Sequence, residues 1–306
     1  MASSVPSLDA GVRQRLTVRF GDQVEGWFSE LPGVMGLLSE RWQVEFDSAI
    51  PRGSVAVVVR CRMSDGRPAV LKISPDRSRL ALEAAALQRW TTGHTPAVLA
   101  LDEQLGALLL EAIEPGTPLD STLAYPTLGS MAALLNSLHA DGGRGSSFPA
   151  VAQRITYLFD SSAKLYQLHP ERAEIVSPEL YERGRQLAAR LAQDGSPTVL
   201  LHGDLTPSNI LDGGERRALV AIDPAPCLGD AAFDAVDMLL WQADDAATIR
   251  ARATSLAPAI AADVERLTAW CTAFAGMTAL ELAGSPQTPH TRIEAAVHVA
   301  SGALHP

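Results

Sequence analysis

The stretch Leu200-Leu-His-Gly-Asp-Leu-Thr-Pro-Ser-Asn-Ile-Leu211, followed by Ala221-Ile-Asp-Pro-Ala-Pro226, decides the reading of this chain. Its apolar lead-in predicts a strand, and His202-Gly-Asp204 predicts a loop after it. Asn209 stands five residues beyond Asp204, at the start of a second apolar run. Asp212-Gly-Gly214 predicts a turn, and Ala218–Ile222 predicts a returning strand that ends on Asp223. Loop, strand, turn and strand in this order bring Asp204, Asn209 and Asp223 to one end of a hairpin. Singly, each is an ordinary turn or cap residue. Together, at this spacing, they form a set with a chemical purpose.

That purpose is phosphoryl transfer to an alcohol. The acceptor hydroxyl must be held in line and its proton accepted, and Asp204 suits that task. Triphosphate charge must be neutralised by Mg²⁺, a hard ion that takes oxygen ligands. The Asn209 amide oxygen and the Asp223 carboxylate are of that type.

Working outward, the 306 residues suffice for two domains. The first 45 residues carry scattered apolar positions such as Leu16, Phe20, Trp27 and Phe28, which predict a helical lead-in. Val55–Val59 and Ala69–Ile73 predict strands around an Asp65-Gly66 turn. Arg79–Trp90 predicts a helix, and Ala97–Asp102 and Leu105–Glu111 two more strands. Beyond Glu114 the pattern is mostly helical. Leu128, Met131, Leu135 and Leu138 share a helical face, Ser177-Pro-Glu179 is a helix start, and the charge-free Leu267–Leu280 is a buried helix. The expected fold class is α+β, with a small β-rich lobe over residues 1–112 and a larger, mostly helical lobe over 113–306. The boundary falls near residues 111–118, where Glu114-Pro-Gly-Thr-Pro118 breaks any regular structure.

The Leu200–Leu211 run resembles the catalytic loop of protein-kinase-like enzymes. Its HGDL…N…IDP form is that of aminoglycoside phosphotransferases and their small-molecule kinase relatives. The length, the Trp-rich lead-in and Asp223-Pro-Ala-Pro226 with Gly229-Asp-Ala-Ala-Phe-Asp234 are most similar to streptomycin and hydroxyurea phosphotransferases. The resemblance covers roughly residues 50 to 240. It implies a bilobal kinase-like fold that uses ATP and Mg²⁺.

The resemblance also implies a lysine for the nucleotide phosphates and a helical glutamate to hold it. Lys72, in Ala69-Val-Leu-Lys-Ile73, is placed for the first role. Glu83 shares a helical face with Leu80, Ala84 and Leu87, where a carboxylate is costly unless paired; Lys72 is its natural partner. Glu111-Ala112-Ile113 would offer backbone groups of Glu111 and Ile113 to an adenine edge. Ser54 would contact phosphate, although only Gly53 stands where relatives carry a glycine-rich loop. Many relatives have His two residues after the catalytic Asp, where this chain has Thr206. Asp230 would hydrogen-bond the catalytic-loop backbone, and His202 reads as a packing residue.

The formal net charge of −10 argues against nucleic acid or an anionic membrane as partner and is compatible with a cationic acceptor. From Ala218 to Ile249 the chain carries six aspartates and no Lys or Arg, a field that would favour a polycation. Three widely spaced cysteines, Cys61, Cys227 and Cys271, give neither a disulfide framework nor a zinc pattern. No secretory leader is visible and no apolar run is long enough to span a bilayer, so the expected location is the cytoplasm. Three functions stay open: an aminoglycoside O-phosphotransferase, a kinase for a small neutral acceptor such as hydroxyurea, and a pseudokinase. The presence of Lys72, Glu83, Asp204, Asn209 and Asp223 together disfavours the last. The oligomeric state is not legible.

Overall fold

The computed structural model describes residues 6, 8–51, 55–122, 124–140, 147–195 and 197–304. It divides into two compact units, Met1–Gly116 and Thr117–Pro306.

The first unit opens on α1 (Ala10–Phe20) and α2 (Val24–Trp42), the expected helical lead-in. Asp9 starts α1 by accepting the Gly11 N–H at 2.8 Å. A five-stranded antiparallel sheet follows: β1 (Val44–Ile50), β2 (Val57–Met63), β3 (Pro68–Ile73), then, after α3 (Arg77–Arg89), β4 (Val98–Asp102) and β5 (Ala107–Glu111). Its spatial order is β1-β2-β3-β5-β4. The turn between β2 and β3 is the expected one, with Gly66 at φ 85°, a conformation that favours glycine. Leu71 and Ile73 face the same core as Leu109, and Leu16, Phe28, Met35 and Leu38 of the two helices cover it. Strand alternation therefore sends Lys72 to the other face, towards α3.

The second unit begins with α4 (Leu128–His139), α5 (Val151–Leu168) and α6 (Pro178–Leu191). Ser177 caps α6 by accepting the Leu180 N–H at 3.2 Å, with Pro178 at the first helical position, as the sequence predicts. Next come β6 (Thr198–Leu201), β7 (Ile210–Asp212), α7 (Gly214–Arg217), β8 (Leu219–Ala221) and β9 (Cys227–Asp230). Strand β6 pairs with β9 and β7 with β8, both antiparallel. The sequence predicts β6 and both strands of the β7–β8 hairpin; β9 is too short to register as a periodic run.

The chain ends on α8 (Val236–Leu240), α9 (Ala246–Leu256), α10 (Val264–Leu282) and α11 (His290–Ala300). Helix α10 is the buried axis expected from its charge-free run. Trp270, Phe274 and Leu280 are buried in it, and it packs against α5, α6, α8, α9 and α11. Each such side chain contributes roughly 1.5–3 kcal/mol of apolar burial, which makes α10 a firm base for the elements on it. Among the described residues, no helix is long and apolar enough to cross a membrane.

Candidate active site

The loop after β6 is shaped by one glycine. Gly203 has φ 75°, and a Cβ there would lie 2.1 Å from the Ala225 carbonyl oxygen, so only glycine fits. The Ala225 N–H donates to His202 O at 2.9 Å and closes the loop against the segment before β9. Asp204 follows, with 28% of its side chain exposed. The Thr206 N–H donates to Asp204 O at 2.9 Å, and the Asn209 N–H to Thr206 O at 2.9 Å, winding the chain back towards its start. Asn209 Nδ2 then donates to Asp204 O at 2.9 Å and to Asp204 Oδ2 at 3.2 Å.

The β7–β8 hairpin brings the third residue in. Ile210 pairs with Ala221, and the Ile222 N–H donates to Asn209 O at 2.9 Å. Asn209 and Asp223 thus flank the same end of one hairpin, beside Asp204. Asp223 takes φ 57°, the left-handed region that is unfavourable for a residue bearing a side chain. The expected turn at Asp212-Gly-Gly214 contains the short helix α7. Among the described residues, no three His, Cys, Asp or Glu gather into a metal cage. One amide oxygen and one carboxylate fit Mg²⁺ where a triphosphate brings the remaining oxygens, because this ion keeps few protein ligands. With its Nδ2 turned to Asp204, Asn209 keeps its acceptor oxygen for such an ion.

Behind the loop lies a buried polar network. Asp234 accepts the His202 N–H at 2.8 Å and the Gly203 N–H at 2.9 Å, and His139 Nε2 sits 3.0 Å from its Oδ2. Burial alone would push the Asp234 carboxyl up; the His139 hydrogen bond and charge, with the Gly203 N–H, outweigh it and hold it below the usual value. His202 is fully buried, consistent with a packing role. Its Nδ1 accepts the Asp204 N–H at 3.3 Å, which assigns the proton to Nε2, 3.0 Å from Ile222 O. Burial lowers its pKa, in keeping with that neutral tautomer. The expectation for Asp230 is corrected here: Asp234 holds the loop backbone. Asp230 caps the following turn at Ala232 N and accepts from Arg266 Nε and Trp270 Nε1, both at 2.5 Å.

Two side chains that act on Asp204, Arg154 and Glu281, escaped the sequence reading, and a third, Asp237, entered it only as one of the acidic stretch. Arg154, from α5, donates from Nη2 to Asp204 Oδ1 at 2.7 Å and from Nε to Gly203 O at 2.7 Å. Asp237, from α8, is pushed up to about 7 by burial and then by the Asp204 and Glu281 charges. Glu281, at the end of α10, keeps an exposed edge, yet protein packed round its carboxyl, and then Asp204, push it up to about 6. Asp237 lies in the acidic stretch and Glu281 ends a charge-free run, which are faint signals; Arg154 had none. Most of the acidic stretch is committed elsewhere. Beyond Asp230 and Asp234, Asp244 accepts from Arg292 and Thr291, and Asp245 caps α9 at Thr248 N.

In the first unit, Lys72 Nζ lies 2.6 and 2.7 Å from the two Glu83 carboxylate oxygens. The side chains are 8% and 3% exposed, so this is a desolvated pair that carries its own hydrogen bonds. Glu111 closes β5, with its N–H donated to Ala97 O at 2.9 Å and its carboxylate accepting from the Ala97 N–H at 3.1 Å. That donor belongs to the sheet. Ile113 lies beyond the strand and is partly exposed. Ser54 and Gly53 lie outside the described residues.

A family described as aminoglycoside/hydroxyurea antibiotic resistance kinase matches residues 41–284. A streptomycin 6-kinase of Streptomyces griseus is 29% identical, over 76% of this chain and 73% of that protein. A hydroxyurea phosphotransferase of Kitasatospora aureofaciens is 28% identical, over 83% of this chain and 74% of that protein. Among solved structures, a choline kinase of Streptococcus pneumoniae superposes with a TM-score of 0.57 at 16% identity, covering 88% of this chain and 97% of that one. The α+β kinase-like fold is thereby shown.

Proposed function

The chain belongs to the aminoglycoside/hydroxyurea antibiotic resistance kinases, and from that premise we propose that it transfers the γ-phosphate of ATP to a hydroxyl of streptomycin. The observation that carries this reading is the gathering of Asp204, Asn209 and Asp223 at one end of the β7–β8 hairpin. Asp204 takes the acceptor proton. Asn209 and Asp223 hold Mg²⁺, which when bound offsets triphosphate charge. Lys72, fixed by Glu83, binds the nucleotide phosphates. Ser54 and the backbone at Glu111 and Ile113 complete the nucleotide side, so residues 1–112 serve the nucleotide and 113–306 the acceptor. An enzyme that uses ATP in this way works in the cytoplasm.

The acceptor assignment is supported by charge. Asp204, Asp237 and Glu281 are three carboxyl groups that repel one another, while Arg154 pairs with Asp204; further negative charge there favours a cation. The two guanidinium groups of streptomycin suit such carboxyls through paired hydrogen bonds. Hydroxyurea is the second reading, favoured by the relative of nearly equal identity. Phosphorylation of streptomycin and hydroxyurea, measured side by side against ionic strength, separates the two. Streptomycin turnover should dominate, and its kcat/KM should fall as salt screens charges beyond about 8–10 Å. Preferential turnover of hydroxyurea would hand the assignment to the neutral acceptor.

A further inference from the structure

Arg154 stands near the start of α5, fifty residues before Asp204. Its guanidinium forks across one dipeptide: Nε to the Gly203 carbonyl and Nη2 to Asp204 Oδ1, both at 2.7 Å. The side chain is only 10% exposed. The helix end that carries it is stitched down. Ala150 bridges Leu228 of β9, the Leu228 N–H donates to Pro149 O at 2.8 Å, and Val151 occupies the space over Gly229. A planar donor fork on a rigid element therefore grips both the backbone and the side chain of the loop.

We infer that Arg154 is the positioning residue of the transfer reaction, holding the Asp204 carboxylate so that Oδ2 meets the acceptor hydroxyl. This rests on the reading of Asp204 as the base. A loop carboxylate turns about two side-chain bonds. Anchoring Oδ1 on Arg154 stops that rotation and leaves Oδ2, beside Asn209 Nδ2, with lone-pair capacity to spare. In the step itself the acceptor O–H bond breaks as its oxygen bonds the γ-phosphorus. The proton goes to Asp204 Oδ2, and the bond from the γ-phosphorus to the bridging oxygen breaks to release ADP. Arg154 gains and loses no proton. Its charge also offsets part of the repulsion between Asp204 and Asp237.

The test measures kcat, the KM for ATP and thermal stability for Arg154→Ala, Arg154→Lys and Asp204→Ala, with streptomycin as acceptor, or hydroxyurea where the wild-type chain turns that over. Arg154→Ala should lower kcat by roughly 10²-fold, the scale of a misplaced reacting group. Its KM for ATP should stay within about threefold, and added methylguanidinium should restore part of the rate. Arg154→Lys keeps a cation without the fork and guards against loss of folding; it should remain at least about tenfold slow while melting close to wild type. An inactive Asp204→Ala beside an Arg154→Lys of normal kcat overturns the role of Arg154 and leaves the base in place. An active Asp204→Ala removes both. Losses in Arg154→Ala that only follow the folded fraction, with no response to methylguanidinium, would mark Arg154 as a loop brace and also overturn the inference.

Discussion

Asp234 holds two consecutive backbone N–H groups, those of His202 and Gly203, on its two carboxylate oxygens at 2.8 and 2.9 Å. The loop that presents Asp204 is thus hung from a carboxylate some thirty residues downstream, itself buried and steadied by His139. Asp234→Ala strands both N–H groups and the imidazole without a partner. An unmet buried donor costs about 1–3 kcal/mol, so the variant should lose several kcal/mol of stability and most of its turnover. Chemical denaturation followed by circular dichroism reads the first, and a melting profile like wild type would contradict this account.

The Lys72–Glu83 pair separates structure from chemistry. Lys72→Ala removes the cation paired with the buried Glu83 carboxylate, a loss of about 3–5 kcal/mol in comparable buried pairs. Replacing both partners at once, Lys72→Met with Glu83→Leu, should recover most of that stability, because a buried pair is worth little net against well-packed apolar groups. ATP turnover should stay lost in both. Thermal melts beside ATP kinetics check this; recovered turnover in the double variant would remove Lys72 from the nucleotide site.

Asp223 contributes the single anionic ligand of the proposed Mg²⁺ pair. Asp223→Asn should shift the Mg²⁺ concentration for half-maximal rate upward by roughly tenfold or more while the fold persists. Titrating Mg²⁺ at fixed ATP reads it directly. An unchanged curve assigns the ion to other ligands.

Asp237 makes a signed prediction for pH. Its folded pKa is raised to about 7 from an ordinary 3.8. Between about pH 4 and 7 the folded chain therefore keeps a proton that the unfolded chain has released, and stability falls as pH rises through that window. Above about 7 the loss is complete. Asp237→Asn removes the titration, so its melting temperature relative to wild type should climb from pH 4.5 to 7.5 and then level off. A flat difference would show that the carboxyl titrates normally.

Much of the fold was legible because its signals are local. Alternation over Ala69–Ile73, the Asp65-Gly66 turn and the charge-free Leu267–Leu280 each report one element. The Asp204, Asn209 and Asp223 set was legible for the same reason, since one hairpin carries it. Arg154 was not, because its meaning lies in a contact fifty residues away. The exchange of Asp230 and Asp234 has a geometric cause. On an α-helix, residues four apart share a face, but Ala231–Ala235 is a 3-10 turn. With three residues per turn, residues four apart point about 120° apart. Asp230 therefore meets Arg266 and Trp270 while Asp234 meets the loop. The acidic stretch misled in a related way, since Arg266 and Arg292, which bind Asp230 and Asp244, lie well downstream of it.

The close approach of Gly203 to the Ala225 carbonyl sets a boundary on how this protein can be altered. Any side chain at 203 collides with main chain, which has no rotamer to yield. The residues on either side are held from behind, through the His202 N–H by Asp234 and through Asp204 Oδ1 by Arg154. A lineage under selection for a new acceptor, or an engineer seeking one, finds almost no viable substitutions at positions 202 to 204. The freedom lies instead on α8 and at the end of α10, where Asp237 and Glu281 approach Asp204 from separate helices and either can be exchanged without rebuilding the turn. Libraries aimed at new acceptors belong at positions 237 and 281.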